Sequence, residues 1–328
     1  MIDLSTKYAG LELQSPIIAS SSGLTDSIDS IKKIEKYGGG AVVVKSIFEE
    51  EILMEADKAI AEKMNNHYLK ETFDYIDSHL KGMRIDEYIR LISGAKKAVR
   101  IPIIASINCT SKYEWPYFVH RIQEAGADAL ELNMFLLPSD EDKSSADNEN
   151  QYFEIIESVR NVSKIPLTLK ISFYFSSLAQ MIKRLSETEI SAIVLFNRFY
   201  SPDFDLDSFK VMSTNVLSSP DEISISLRWI SIMSGRIKCD LAASTGVNNG
   251  LAAIKQIAAG AKAVQVASAL YKNGIPYIAD MLDEIRTWMT QKGFEKLDDF
   301  RGKMSQKQSG NPAAYERIQF MKYFGGIQ

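Results

Sequence analysis

Six polar side chains stand at or near the ends of aliphatic runs. "VVVKS" closes on Lys45 and Ser46, "ASIN" on Asn108 and "LELN" on Asn133, "LTLKIS" carries Lys170, and "VLFN" ends in Asn197. A lysine inside an aliphatic strand pattern is costly to bury without an anionic partner. One alone fits either an ion pair or a side chain that reaches out to solvent. Two lysines and three amides at corresponding strand ends make a polar mouth that no packing argument requires, and such convergence of polar groups is the composition of a ligand site. "ASSSG" adds Ser21, Ser22 and Gly23 at another strand end. Late in the chain, "STGVNNG" supplies Thr245, Gly246 and Val247, and "ASALYKNG" supplies Ala267 and Ser268. Small residues there let backbone N–H groups approach a dianion. They also make ordinary tight turns, but their place beside a cationic mouth favours a phosphorylated ligand.

The elements that must position these groups are legible in a repeat. "PIIAS" occurs at 16–20 and again at 102–106, and "IPLTLKIS" at 165–172 has the same proline-aliphatic form. Proline fits the first residue of a strand, where a missing N–H matters least. "GGGAVVVKS", "GADALELN" and "GAKAVQVAS" begin instead with glycine, which ends a helix before an aliphatic strand starts. With "ISAIVLFN" and "KCDLAAST" they give eight strands, starting near residues 16, 41, 101, 129, 166, 192, 239 and 263. Between them, Ile28, Ile31 and Ile34, and later Leu251, Ile254 and Ile257, are spaced as helix faces, with Thr25 or Asp26 as the expected cap of the first. Eight β-then-α units predict an α/β fold of the (β/α)8 TIM-barrel kind, with a doubly wound open sheet as the alternative.

One domain over 1–328 is expected, with insertions at 47–83, 136–148 and 198–221 that all leave from carboxyl ends of strands, the face where barrel active sites lie. These insertions are read as a lid over the site rather than as tolerated surface loops. The first is expected to be helical over the mouth, "SSADNEN" to be mobile, and the extension 293–328 to form two short helices.

Composition removes several classes. The chain of 328 residues is 45% hydrophobic with a net charge of −4, so there is no basic stripe for nucleic acid and no polybasic run for an anionic membrane. No signal peptide or membrane-spanning run is read, and a cytoplasmic location is the expectation. Cys109 and Cys239 are the two cysteines, too few for a disulfide framework or a four-cysteine metal centre. His67, His79 and His120 lack ligand spacing, so no metal is expected.

Taken in order, "YAGLELQSPIIASSSG", "VVVKS", "ALELN", "LTLK", "FN", "STGV", "ASALY" and "QKGFEKLDDFRGKMSQ" resemble the dihydroorotate dehydrogenase family of FMN barrels. "LFNRFYSPDFDL" and "KSIFEEEI" are closer to a divergent bacterial, dihydroorotate dehydrogenase-like branch. The resemblance implies an FMN-dependent oxidoreductase acting on CH–CH groups (EC 1.3 type) in pyrimidine metabolism. Ser21, Ser22 and Gly23 would pass along the flavin ring, Lys45 and Ser46 beside its reactive side. Asn108, Asn133 and Lys170 would bond the ring or ribityl chain, and Thr245, Gly246, Val247, Ala267 and Ser268 the phosphate. Asn133 and Asn197 would hold substrate, with Lys45 and Lys170 as the catalytic cations. A cation about 4 Å from the reduced ring, at an effective dielectric of about 20, contributes about 4 kcal/mol.

The family's Cys or Ser base should follow the strand-four asparagine, but "NMFLLPSD" places Leu136 or Leu137 there, and leucine accepts no proton. That argues against dihydroorotate itself and for another small cyclic or pyrimidine-like substrate. Cys109 is a weak substitute base, more simply read as a small buried residue, and Tyr200 is a donor in a loop. The partners expected are a small-molecule substrate and a soluble electron acceptor or partner redox protein, with a homodimer as the oligomer considered. A flavin-binding redox module or partner subunit without its own organic substrate is the competing reading.

Overall fold

The computed structural model describes residues 2–48, 71–108, 115–134, 136–198, 201–214 and 216–316. An antiparallel hairpin, β1 (Thr6–Tyr8) and β2 (Leu11–Leu13), precedes β3 (Ile17–Ala19), β4 (Ala41–Val43), β5 (Ile47–Phe48) and β6 (Ile103–Asn108). Then come β7 (Ala129–Asn133), β8 (Leu167–Ile171) and β9 (Ala192–Leu195). A second antiparallel hairpin, β10 (Ser201–Asp205) and β11 (Lys210–Thr214), precedes β12 (Asp240–Ser244) and β13 (Ala263–Val266). The main sheet runs in the order β4-β3-β13-β12-β9-β8-β7-β6 with every pair parallel, and β4 returns to pair with β6. Eight strands thus close into a (β/α)8 barrel, each of the eight sequence-predicted starts falling within two residues of its strand.

The repeated prolines do one job. Pro16, Pro102 and Pro166 each sit just before a strand, and their carbonyls accept the N–H groups of Val264, Val42 and Leu130 on neighbouring strands at 2.8, 3.1 and 2.9 Å. The ring removes a donor where the sheet has not begun, and the acceptor still joins the ladder.

Strand alternation separates two cores. Outward residues such as Ile17, Val42, Leu130 and Ile193 pack against Ile31, Ile34, Ile92 and Ile182 of the surrounding helices. Inward residues Ile18, Val43, Ile104 and Val194 meet Tyr8 and Leu13 of the first hairpin, which plugs the amino-terminal end. Ala9 and Gly10 take φ of 52° and 81°, the two left-handed residues of a tight turn that joins β1 to β2.

The second barrel strand contains a bulge. Val43 pairs with Ile104 and Ile47 with Ile107, so four steps along one strand oppose three along the other. One extra residue reverses the alternation. Tyr88, from the helix Glu71–Ala98, fills the gap: its hydroxyl accepts the Ser106 N–H at 2.7 Å and donates to the Ser106 carbonyl at 2.9 Å.

Several local expectations are corrected. Ser27 caps the helix Ile28–Lys36, because Thr25 is engaged with Ser22 in a reciprocal cap of the preceding short turn. "SSADNEN" opens the helix Ser145–Arg160, since Ser144 and Asp147 form a capping box. Leu251 is exposed while Ile254 and Ile257 are buried. The strand-six insertion is the β10–β11 hairpin, and the tail holds the single turns Leu297–Asp299 and Gln306–Gln308 before Ala313–Glu316. Residues 49–70 of the first insertion, including His67, lie outside the described residues.

Candidate active site

Lys170 projects inward from β8 and is buried, and its ammonium donates to Ser20 Oγ at 3.0 Å and Gln265 Oε1 at 2.9 Å. The Gln265 amide in turn donates from Nε2 to Glu131 Oε2. Glu131, on β7, is buried, and its Oε1 has no partner among the described residues. Burial pushes the Glu131 carboxyl upward, while Lys170 and then the Gln265 hydrogen bond pull it back. Burial draws the Lys170 amine down, and Glu131 opposes that. An ammonium has three donors. With two on Ser20 and Gln265, the third is left for whatever fills the space above.

That space is a cavity of about 250 Å³ lined by Lys170, Ser20 and Ser21. Its lining also includes Thr245, Gly246 and Val247, with Ala267 and Ser268 from the adjacent strand end. Thr245 and Gly246 have consecutive positive φ of 72° and 76°, and the Gly246 N–H donates to Ser218 Oγ at 3.4 Å. A β-branched residue there is strained, and the Thr245 hydroxyl holds it by donating to the Phe196 carbonyl at 3.1 Å. A Cβ on Gly246 would lie 2.1 Å from the Ile223 nitrogen, so glycine is required. Ser218 ties the cup to the strand-six insertion: its N–H donates to Ser268 Oγ at 2.9 Å, and its carbonyl accepts from Lys272 at 2.9 Å.

Asn197 and Arg198 also line the cavity, together with Ser213, Thr214 and Val216 of the hairpin region. The Asn197 amide donates to Asn133 Oδ1, joining the ends of β9 and β7 across β8. Arg198 donates to Glu222 Oε2 at 2.7 Å and to the Val216 carbonyl at 3.0 Å. A smaller hollow of about 170 Å³ adjoins this cavity, lined by Phe173, Tyr174 and Phe196 and sharing Asn197, Arg198 and Thr245 with it.

Not every expected residue reaches the cavity. Lys45 is exposed and is not part of the lining of this cavity, while its neighbour Ser46 is buried. Ser46 shares hydroxyl hydrogen bonds with Ser21 at 2.9 Å and Ser106 at 2.7 Å, so it supports Ser21 from behind. Ser22 is spent capping a turn, and the Gly23 N–H donates to the Tyr271 hydroxyl at 2.8 Å. Asn108 is buried at the end of β6, outside the cavity lining. Leu136 is half-buried and Leu137 is 55% exposed, so the base position is apolar in fact as in sequence. Cys109 and Tyr200 lie outside the described residues. His120 is on the helix Trp115–Glu124, 3.5 Å from Glu124.

Glu131, Gln265, Ser20 and Arg198 were missed by sequence reasoning. Glu131 and Gln265 share the inward register of Asn133 and Ala267, and a polar residue two positions before a site residue on the same strand was the available signal.

Residues 3–289 match the family model described as dihydroorotate dehydrogenase. The chain is 27% identical over 317 residues to dihydroorotate dehydrogenase B (NAD(+)), catalytic subunit, of Thermoplasma volcanium, covering 92% of this chain and 98% of that protein. It is 26% identical over 310 residues to the protein of the same description from Petrotoga mobilis, covering 92% and 99%. Among the described residues, no helix is long and apolar enough to cross a membrane, and no cluster of His, Cys, Asp and Glu could hold a metal ion. With the match spanning most of a closed eight-stranded barrel, the chain belongs to the dihydroorotate dehydrogenase family, FMN-binding oxidoreductases that act on CH–CH groups.

Proposed function

We propose that this protein binds FMN in the cavity between Lys170 and the turn at Thr245 and Gly246, and uses it to oxidise or reduce a CH–CH bond in a small cyclic substrate. The observation that carries this reading is one cavity lined both by a buried ammonium and by a cup of small residues. The residues fit the group. The spare N–H of Lys170 suits the electron-rich edge of the ring, and the small residues Gly246, Val247, Ala267 and Ser268 leave room for a phosphate. When bound, FMN supplies a two-electron hydride acceptor. The chain supplies the rest. Lys170 offsets negative charge that develops at the cavity floor, where low dielectric strengthens the interaction. Thr245, Gly246, Val247, Ala267 and Ser268 hold the phosphate, Ser21 lies along the ring, and the hairpin residues Ser213 and Thr214 limit water.

Asn133 and Asn197, fixed by their mutual hydrogen bond, orient substrate amide or carboxylate groups. With Leu136 and Leu137 at the base position, the substrate is one other than dihydroorotate. The relatives are described as catalytic subunits, which supports a partner redox protein as the electron acceptor. The second reading, a flavin-binding redox module without its own organic substrate, is favoured by that same apolar base position.

Purified protein should be yellow and release FMN on denaturation, and a colourless protein that rejects added FMN defeats the proposal. Leu136→Cys and Leu137→Cys should gain dihydroorotate oxidation over wild type. Substantial oxidation by wild type would show that the base comes from elsewhere.

A further inference from the structure

Glu131 has no part in the scheme above, yet a carboxyl is among the most costly groups to place inside a barrel. Its position follows from hydrogen-bond polarity. A carboxylate only accepts, and an ammonium only donates. Gln265 stands between them with its NH2 on Glu131 Oε2 and its carbonyl accepting from Lys170 at 2.9 Å. The order of donors and acceptors has one direction, and Glu131 sets it. A neutral group at Glu131 would let the Gln265 amide turn over, and its NH2 would then face the ammonium.

We propose that Glu131 is the positioning residue of this site: acting through the Gln265 amide, it keeps Lys170 Nζ charged and fixed on the cavity floor. The groups facing Glu131 are Lys170 on β8, Gln265 on β13, the Tyr8 hydroxyl of the plugging hairpin and the Tyr88 phenol of the helix Glu71–Ala98. Asp240 lies beyond Tyr8. Lys170 is the one cation among them, so Glu131 provides the negative charge that opposes the effect of burial on its amine. Ser20 supplies a second, neutral acceptor at 3.0 Å. It positions the amine without favouring its charge.

The inference rests on reading the cavity as a cofactor site, but its test does not. Trace acetylation of the flavin-free protein from neutral to alkaline pH, read by mass spectrometry of the Lys170 peptide, gives the titration midpoint of that amine alone. Glu131→Gln should lower the midpoint by about one pH unit or more, the size of shift that loss of a nearby opposite charge produces. Gln265→Leu should lower it similarly, and the double variant should go no further, because both break one chain of hydrogen bonds. Glu131→Asp should recover part of the shift. A purely structural role would alter stability and leave the midpoint in place. An unchanged midpoint in Glu131→Gln, or shifts that add in the double variant, overturns the proposal. If Glu131→Gln does not fold, Gln265→Leu decides alone, and an unchanged midpoint there overturns it too. Added FMN forms a second arm, in which Glu131→Gln should bind at least tenfold more weakly than wild type. Failure of wild type to bind FMN would sink the cofactor reading and leave the amine titration to judge Glu131.

Discussion

Along the axis of the barrel, the amino-terminal half of the interior holds Ile18, Ile104, Val194 and Ala263 around Tyr8 and Leu13. Two residues further along the same strands, the inward positions become Ser20, Ser106 and Gln265, with Glu131 and Lys170 at the same depth. A step of two residues is about 6.6 Å. Within that distance one set of strands changes from a sealed hydrocarbon core to a hydrogen-bonded floor. The lower half supplies burial without conditions. The upper half stands only as a completed network, because each buried polar group needs its partner. Stability and ligand binding are therefore divided by height in the barrel, not by element.

The largest effect should come from breaking the upper half. Lys170→Met strands Glu131 as an uncompensated buried carboxylate and should cost about 3–5 kcal/mol in urea unfolding, with loss of FMN retention. The pH dependence has a definite sign. Burial already raises the Glu131 carboxyl, and losing Lys170 raises it further. The stability of such a group is present below its unfolded value and lost as pH rises through its folded one, so the deficit should be smallest in acid and grow toward neutrality.

Breaking the lower half should separate the two properties. Ile104→Ala leaves a cavity in the inner core and should cost about 2–5 kcal/mol, while FMN affinity measured on the folded protein stays near the wild-type value. If affinity falls in step with stability, the division by height is wrong.

A third substitution sharpens the boundary. The Tyr8 hydroxyl is buried with no hydrogen-bond partner among the described residues. Tyr8→Phe should therefore be neutral or stabilising by about 1 kcal/mol, since it removes an unsatisfied polar group. The smallest effect concerns Cys239, just before β12, whose thiol burial pushes up to about 12. Its alkylation by iodoacetamide near neutral pH should be much slower than that of a free thiol.

Most of the fold could be read in the sequence because strand starts carry backbone chemistry: proline without a donor, glycine after a helix. Lys170 was legible for the same reason that it is costly, a cation within an aliphatic run. Lys45 looked equivalent, but alternation holds only while pairing is regular, and an extra residue between Val43 and Ile47 is invisible without the opposing strand. Glu131 and Gln265 were hidden in "ALELN" and "AVQVA", where the flanking aliphatic residues mark a strand and draw attention from the residue between them. The plugging hairpin went unread because its turn places an alanine at positive φ, a position that sequence rules assign to glycine or asparagine. The β10–β11 hairpin offered no core-facing pattern, since Phe204, Phe209 and Val211 are all exposed.

The surplus residue in the second barrel strand also lets the inner wall and the outer helix be altered separately. Removing Val44 would bring the strand back into step with its neighbour, keep Ser46 opposite Ser106 on the inner surface, and leave the Tyr88 phenol without the gap it fills. A one-codon deletion would thereby loosen the outer helix while the lumen keeps its hydroxyl.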